Sequence, residues 1–447
     1  MSKQTGFMKL AALCNSGPGT MGWTEQGAFC EGDMDFSMYS SLAKTCERGK
    51  LDVMFLADGV GVQTAGVHPT KVGRGGARVH FEPTTLLAAL SQVTQSIGLI
   101  GTISTTYHQP YTVARQVASL DFLTGGRSGW NLVTSGSLTE ALNFGYTEEL
   151  SSEVRYGWAN EFVDAVRGLW DSFDDDAFSR NKSTGEYFDA AKMHALDMDG
   201  EFYRIKGPLN LPRPPQGHPV ISQAGMSPAG HKLAARTADI MYAKYSTLEG
   251  GRAFQQRIHT EMAKYGRAPG ELAILPGFFP VIGATEEQAN RKFMLRQEYL
   301  DDEAGVNLIK GLWKVDLHGY RIDDPLPDLP EMQMVAHGQE VDFNRNGRRM
   351  TIREAFHWLA SAYAHLSVIG TPEQVADSMQ AWYQEGGADG FNLYLHSMPS
   401  SLEDFVEHVV PILQKRGLMK SDYIGPTLRE NLGLARPESR YKVNSGA

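Results

Sequence analysis

Short apolar runs recur along the chain, and most are followed by a stretch in which apolar residues return every three or four positions. Met8–Cys14, Leu51–Ala57, Ile97–Ser104, Gly129–Thr134, His218–Gln223, Asp239–Ala243, Ala273–Gly283 and Gly390–Leu395 read as strands. Several are apolar at successive positions, the pattern of parallel strands buried on both faces. Helical periodicity fills Phe36–Arg48, Pro83–Gln95, Pro110–Leu123, Glu153–Asp171, Pro228–Arg236, Gly251–Tyr265, Glu286–Tyr299 and Pro372–Gln384. Pro83, Pro110 and Pro228 fall in first turns, where a missing N–H is tolerated. Thr371 and Gln374 have the spacing of a capping box. Eight such alternations predict an α/β fold, a (β/α)8 TIM barrel rather than an open sheet.

A minimal barrel needs about 250 residues, and this chain has 447. The surplus falls after strands 4 and 7. The first long insertion, about 135–217, contains the turn Asp199-Gly200 and closes on Leu211-Pro-Arg-Pro-Pro215. The second, about 300–367, is polar and broken by Pro325, Pro327 and Pro330. Residues 1–425 therefore read as one barrel domain, and 426–447 as a C-terminal arm on the surface.

Composition narrows the function. With 42% hydrophobic and 21% charged residues the chain has the make-up of a soluble globular enzyme. A formal net charge of -10 argues against a nucleic-acid partner. No apolar run approaches the roughly 20 residues of a membrane span, and Leu10–Cys14 is too short for a signal peptide. The expected location is cytoplasmic. Three cysteines without a CxxC motif exclude a disulfide framework and a cysteine zinc site.

Gly225-Met-Ser-Pro-Ala-Gly230 follows a predicted strand and opens a predicted helix. Small residues with free N–H groups there make a seat for an anion such as phosphate, and Ser227 adds a hydroxyl. An ordinary Ser-Pro cap is the plainer alternative. One extra residue separates the segment from GxSxG and spoils the strained turn of a serine hydrolase. Asp58 ends the second strand, Thr102 and Ser104 the third, and Asn131, Thr134 and Ser135 the fourth. Strand C-termini are where a barrel keeps its chemistry, so these groups with the anion seat suggest a phosphorylated cofactor. Neither GxGxxG at a helix start, nor GxxxxGK[ST], nor HExxH occurs. Asp342 to Gly347 matches half a calcium loop, but Arg353 stands where its closing Glu belongs, and a polar turn is the reading.

Cys14 ends the first strand, as a candidate for the barrel mouth or as a small buried hydrophobe. His108, His318, His337, His365 and His396 are site candidates among scattered histidines. No acid lies between Asp58 and Glu82, a stretch that holds His68, Lys71, Arg74, Arg78 and His80. This positive loop can steer an anionic substrate, meet a cofactor phosphate or a neighbouring subunit, or stay solvated.

With these residues in view the chain resembles the bacterial-luciferase-like flavin monooxygenases. Within them it is similar to the branch of nitrilotriacetate monooxygenase component A, dibenzothiophene-sulfone monooxygenase and long-chain alkane monooxygenase. The resemblance runs through Gly49 to Asp58, Glu82-Pro83, Thr102 to Arg115 and Leu123 to Ser135. It continues through Asn143-Phe-Gly145, Arg155-Tyr156, Glu161-Phe162, Gly200 to Leu209, Pro219 to Ser227, Gly387 to Phe391 and Val409 to Gly417. It implies a TIM barrel that uses FMN as FMNH2, supplied by a separate NAD(P)H:flavin reductase, with O2 and a small-molecule substrate. A homodimer or homotetramer is implied as well.

Carried over by position, Asp58, Thr102, Ser104, Asn131 and Tyr156 line the flavin, and Gly225, Met226 and Ser227 seat its phosphate. Ser152 stands where relatives often carry a His, and Asn15 to Trp23 replaces a His-rich stretch. The catalytic candidates are then His318 and Cys14. Arg74 and Arg78 are the substrate candidates, favouring an anionic, aminopolycarboxylate-like compound over a sulfone, sulfide or alkane. An F420-dependent oxidoreductase and a non-catalytic flavin-binding protein are the alternatives.

Overall fold

The computed structural model describes residues 6–15, 28, 34–62, 79–297, 302–333, 343–345, 347–362, 365–395 and 397–442. Its main sheet consists of β1 (Lys9–Leu13), β2 (Val53–Leu56), β3 (Gly98–Ser104), β4 (Ser128–Val133), β5 (Val220–Gln223), β6 (Ile240–Ala243), β7 (Ala273–Ile282), β8 (Leu366–Gly370) and β9 (Gly390–Tyr394). The strands run in the order β8-β7-β9-β1-β2-β3-β4-β5-β6, and β6 pairs back with β7. All these pairings are parallel. All strands but β8 thus close into the expected eight-stranded barrel.

β8 was not expected. β7 is long: Gly277 and Phe278 meet β9, while Phe278 to Ile282 run on past the barrel and pair with Leu366 to Gly370. That overhang carries the second insertion. Phe279 and Val281 join Val306, Ile309, Trp313 and Phe356 in a separate hydrophobic cluster. Its helices are α9 (Asp302–Trp313) and α10 (Ile352–Ala362).

Alternation along the strands sorts the side chains. Ala11, Leu13, Val53, Phe55, Ile100, Val220, Ile240, Tyr242 and Leu275 fill the barrel interior. Leu10, Ala12, Met54, Leu56 and Leu99 face outward into the layer shared with the surrounding helices. Of these, α1 (Phe36–Arg48), α2 (Pro83–Leu90) and α3 (Pro110–Thr124) follow β1, β2 and β3. Asp35 and Glu82 start α1 and α2 by accepting from N–H groups of the first turn. The first insertion adds α4 (Leu138–Asn143) and α5 (Ser152–Trp170). Then come α6 (Pro228–Thr237), α7 (Leu248–Ala263) and α8 (Glu286–Gln297), with α11 (Pro372–Gln384) after β8.

The C-terminal segment corrects the surface-arm expectation. α12 (Leu428–Leu432) inserts Leu428 and Leu432 into the interior cluster at the strand N-termini. Each buried leucine contributes about 2 kcal/mol. Arg429 lies beside them, 4% exposed, in an ion pair with Asp239 at 2.9 Å. It also donates to the His218 carbonyl at 2.7 Å. Room for this plug depends on Gly98, where a side chain would collide with Leu428.

Candidate active site

The opposite end of the barrel, at the strand C-termini, is polar. Register places Thr102 of β3 beside Asn131 of β4, and Asn131 beside Ser222 of β5. Thr102 Oγ1 donates to the Leu56 carbonyl at 3.0 Å, and Asn131 Nδ2 donates to Thr102 Oγ1 at 2.8 Å. Ser222 Oγ donates to Asn131 Oδ1 at 3.1 Å, completing a buried belt from β2 to β5. The belt fixes the Asn131 amide and leaves it one N–H and one lone pair for a ligand. Ser104, one rung higher, accepts from the Thr106 N–H at 3.2 Å.

Asp58 stands past the end of β2, its Oδ1 accepting from the Gly59 N–H at 2.8 Å. His80 Nε2 lies 3.6 Å from that oxygen. Burial pushes the Asp58 carboxyl above the ordinary range, against the pull of His80. Glu140 of α4 accepts from the Val60 N–H at 3.1 Å, and burial raises its carboxyl too.

A second group forms where α6 begins. Ser227 caps the helix by accepting from the Gly230 N–H at 3.1 Å, and its hydroxyl donates to the Tyr156 hydroxyl at 3.2 Å. Tyr156 projects from α5 one turn beyond Ser152, which is exposed at the first position of that helix. A Cβ at Gly225 would lie 3.0 Å from Gly230 Cα and 3.1 Å from the Tyr156 hydroxyl; one at Gly230 would lie 2.8 Å from the Gly225 backbone. Paired glycines let the loop close on the first turn, while Met226 packs on the hydrophobic layer. The result is a cradle of helix N–H groups and hydroxyls at the positive end of the α6 dipole, which fits a phosphate monoester.

The sequence pattern of luciferase-like monooxygenases matches residues 8–390. The chain belongs to that family. This luciferase-like monooxygenase is 44% identical over 439 residues to N-acetyl-S-(2-succino)cysteine monooxygenase of Bacillus subtilis (strain 168), covering 96% of this chain and 97% of that protein. It is 42% identical to nitrilotriacetate monooxygenase component A of Aminobacter aminovorans over 426 residues, 94% of each chain. A crystal structure of riboflavin lyase with modified FMN and riboflavin superposes with a TM-score of 0.84 at 31% identity, covering 97% of each chain.

The family assignment leaves each predicted site residue to its own geometry. The structure brings Thr102 and Asn131 into one belt, and Tyr156, Gly225 and Ser227 into one cradle. Two candidates fall elsewhere in the monooxygenase. Cys14 does not face the mouth: it is fully buried in the outward layer, its Sγ 4.0 Å from Cys46 Sγ of α1. A one-residue step along β1 reverses the face, and Leu13, not Cys14, is the inward neighbour. His318 is half exposed beyond α9, its Nδ1 2.7 Å from Asp316 Oδ1, so its partner belongs to the insertion and not to the barrel. Arg74 and Arg78 lie outside the described residues.

The mouth also contains groups that sequence reasoning missed. Ser222 and Glu140 join the β2–β5 side. On the β6–β9 side stand Lys244, His365 and Asn392; only His365 had been named, as one histidine among several. Inward parity of Ser222 and Asn392 was available from the strand alternation. Nothing in the sequence marks Lys244, which follows β6 as any solvated lysine would.

Proposed function

We propose that the chain is the oxygenase component of a two-component flavin monooxygenase. It takes FMNH2 from a separate NAD(P)H:flavin reductase and uses O2 to oxygenate a small organic anion. The observation that carries this reading is the glycine-closed cradle at the start of α6, set beside the polar belt in the mouth of a barrel of this family. Two relatives are named for nitrilotriacetate and for N-acetyl-S-(2-succino)cysteine, both carboxylates, which favours an anionic substrate. Ser152, Tyr156, Gly225, Met226 and Ser227 would hold the phosphate; Asp58, Thr102, Ser104 and Asn131 would line the ring.

Reduced flavin, when bound, supplies the two electrons with which O2 delivers one oxygen atom to the substrate. The chain's own part is orientation and exclusion. The Thr102–Asn131–Ser222 belt holds its donors in fixed positions before any ligand arrives, so little reorganisation accompanies binding. Asp58, its carboxyl raised by burial and close to His80, is placed to exchange a proton with a group in the mouth. The α4–α5 insertion stands over this side of the mouth, where Gly59 and Val60 meet Glu140 and Asn143, and restricts water.

An anaerobic titration of the purified protein with FMNH2, followed by mixing with O2, tests the reading. Saturable binding and flavin reoxidation slower than in buffer are expected. Reoxidation as fast as that of free FMNH2, or no binding, would sink it. A homodimer or homotetramer is the proposed assembly, to be measured by sedimentation equilibrium.

A further inference from the structure

Folded proteins give a partner to more than nine in ten buried polar groups, yet the β6–β9 side of this mouth leaves several adjacent ones unanswered. His365 Nδ1 and both polar atoms of the Asn392 amide are buried without a hydrogen-bond partner among the described residues. His365 is 7% exposed and Asn392 1%. Lys244 has no ion pair and no hydrogen bond among the described residues, and burial alone pushes its ammonium down to about 8.

These groups are neighbours. Pairing of Tyr242 with Leu275 and Ala243 with Pro276 carries Lys244 to the level of Gly277 on β7. From the other side, Asn392 of β9 pairs with Gly277. The His365 imidazole fills the space that a side chain at Gly277 would take, and its ring lies 4.2 Å from that of Tyr394. Burial and then Lys244 push His365 down to about 3, so it is a neutral hydrogen-bonding group and Lys244 is the cation of the cluster. Among the described residues no carboxylate acts on Lys244.

We infer that Lys244, His365 and Asn392 form a seat for a carboxylate of the substrate, across the mouth from the flavin residues. The seat rests on the oxygenase reading for its purpose, not for its chemistry. One cation with neutral N–H donors matches a single carboxylate in charge and in number of acceptors. Its place on the circumference assigns it to substrate: the flavin candidates occupy β2 to β5 and the cradle at α6, whereas Lys244 follows β6, His365 precedes β8 and Asn392 lies on β9, all around Gly277 of β7. An acid anchored there would present the rest of its skeleton to the flavin side, so Lys244 selects substrates by charge.

The test compares wild type, Lys244→Met and Lys244→Arg by calorimetric titration with nitrilotriacetate, succinate and their methyl esters, beside anaerobic FMNH2 titration of the same proteins. Wild type is expected to bind at least one acid and to reject its ester. Lys244→Met should weaken acid binding about 10- to 100-fold, Lys244→Arg should restore most of it, and FMNH2 affinity should stay the same in all three. Wild type that binds no acid, or binds ester as well as acid, overturns the seat. So does a Lys244→Met protein that keeps its acid affinity, or one that instead loses FMNH2 affinity tenfold and so assigns the lysine to the flavin. If wild type fails to bind FMNH2 while acid binding still depends on Lys244, the oxygenase reading fails and the anion seat stands. Melting temperature monitors folding, and removing a buried charge should not lower it.

Discussion

The two halves of the barrel mouth are built on opposite plans. From β2 to β5 the inward polar side chains of the belt answer one another: Thr102, Asn131 and Ser222 form a closed run, and Ser227 is bonded to both Tyr156 and Gly230. From β6 to β9, the Lys244 ammonium, His365 Nδ1 and the Asn392 amide stand together with no hydrogen-bond partner among the described residues. The saturated half is rigid before a ligand comes. The unsaturated half carries a desolvation cost that a ligand of the right charge relieves. A mouth made this way can keep one cofactor geometry while exchanging substrates, because selectivity resides in the half that the fold leaves incomplete.

Substitutions that treat the halves alike should have unlike results. The largest effect is expected at the cradle. Gly230→Ala forces a Cβ onto the Gly225 backbone, and FMNH2 affinity in anaerobic titration should fall about 10- to 100-fold while acid binding is retained. Next is a matched pair of asparagines. Asn131→Leu strands Thr102 and Ser222 and should lower stability by about 1–3 kcal/mol in urea denaturation. Asn392→Leu removes an amide that has no partner, so stability should hold or rise while acid binding weakens. Equal losses from both changes would erase the distinction between the halves.

A smaller effect is expected with pH. Lys244 has its pKa lowered from 10.5 to about 8 in the folded chain. Between those values the unfolded chain keeps a proton that the folded chain has released, so this group's contribution to stability rises with pH. The melting temperature of wild type relative to Lys244→Met should therefore climb from about pH 8 to about pH 10.5. Saturating acid should flatten that climb, because a bound carboxylate restores the lysine's charge; His365, neutral throughout, adds nothing to it. Smallest of all, Cys14→Ala should leave turnover within about twofold, since its thiol faces α1 and not the mouth. A large loss of turnover in a well-folded Cys14→Ala protein would restore the cysteine to the chemistry.

The same division explains what could be read from the sequence. α1 and α11 begin and end where the apolar period and caps place them, at Phe36–Arg48 and Pro372–Gln384. The residues of the saturated half lie in local patterns, a strand end or a Gly-Ser-Pro helix start, and such patterns survive without a structure. Lys244 became notable only once Gly277 and Asn392 were placed beside it by pairings distant in sequence. His365 depends on a missing side chain at Gly277, and β8 on the overhang of β7, neither of which has a local signature. Cys14 was misplaced by one step of strand parity. The plug helix, five residues long, is too short to show a period.

That plug ties assembly to the direction of synthesis. Every barrel strand has left the ribosome by Tyr394, but the leucines that close the floor come later, at 428 and 432. A nascent chain with all its strands in hand still has an open base and an Asp239 without its arginine, so sealing of the floor waits for Arg429 and its flanking leucines. A chain that stopped before the plug would have a sheet able to form and unable to seal.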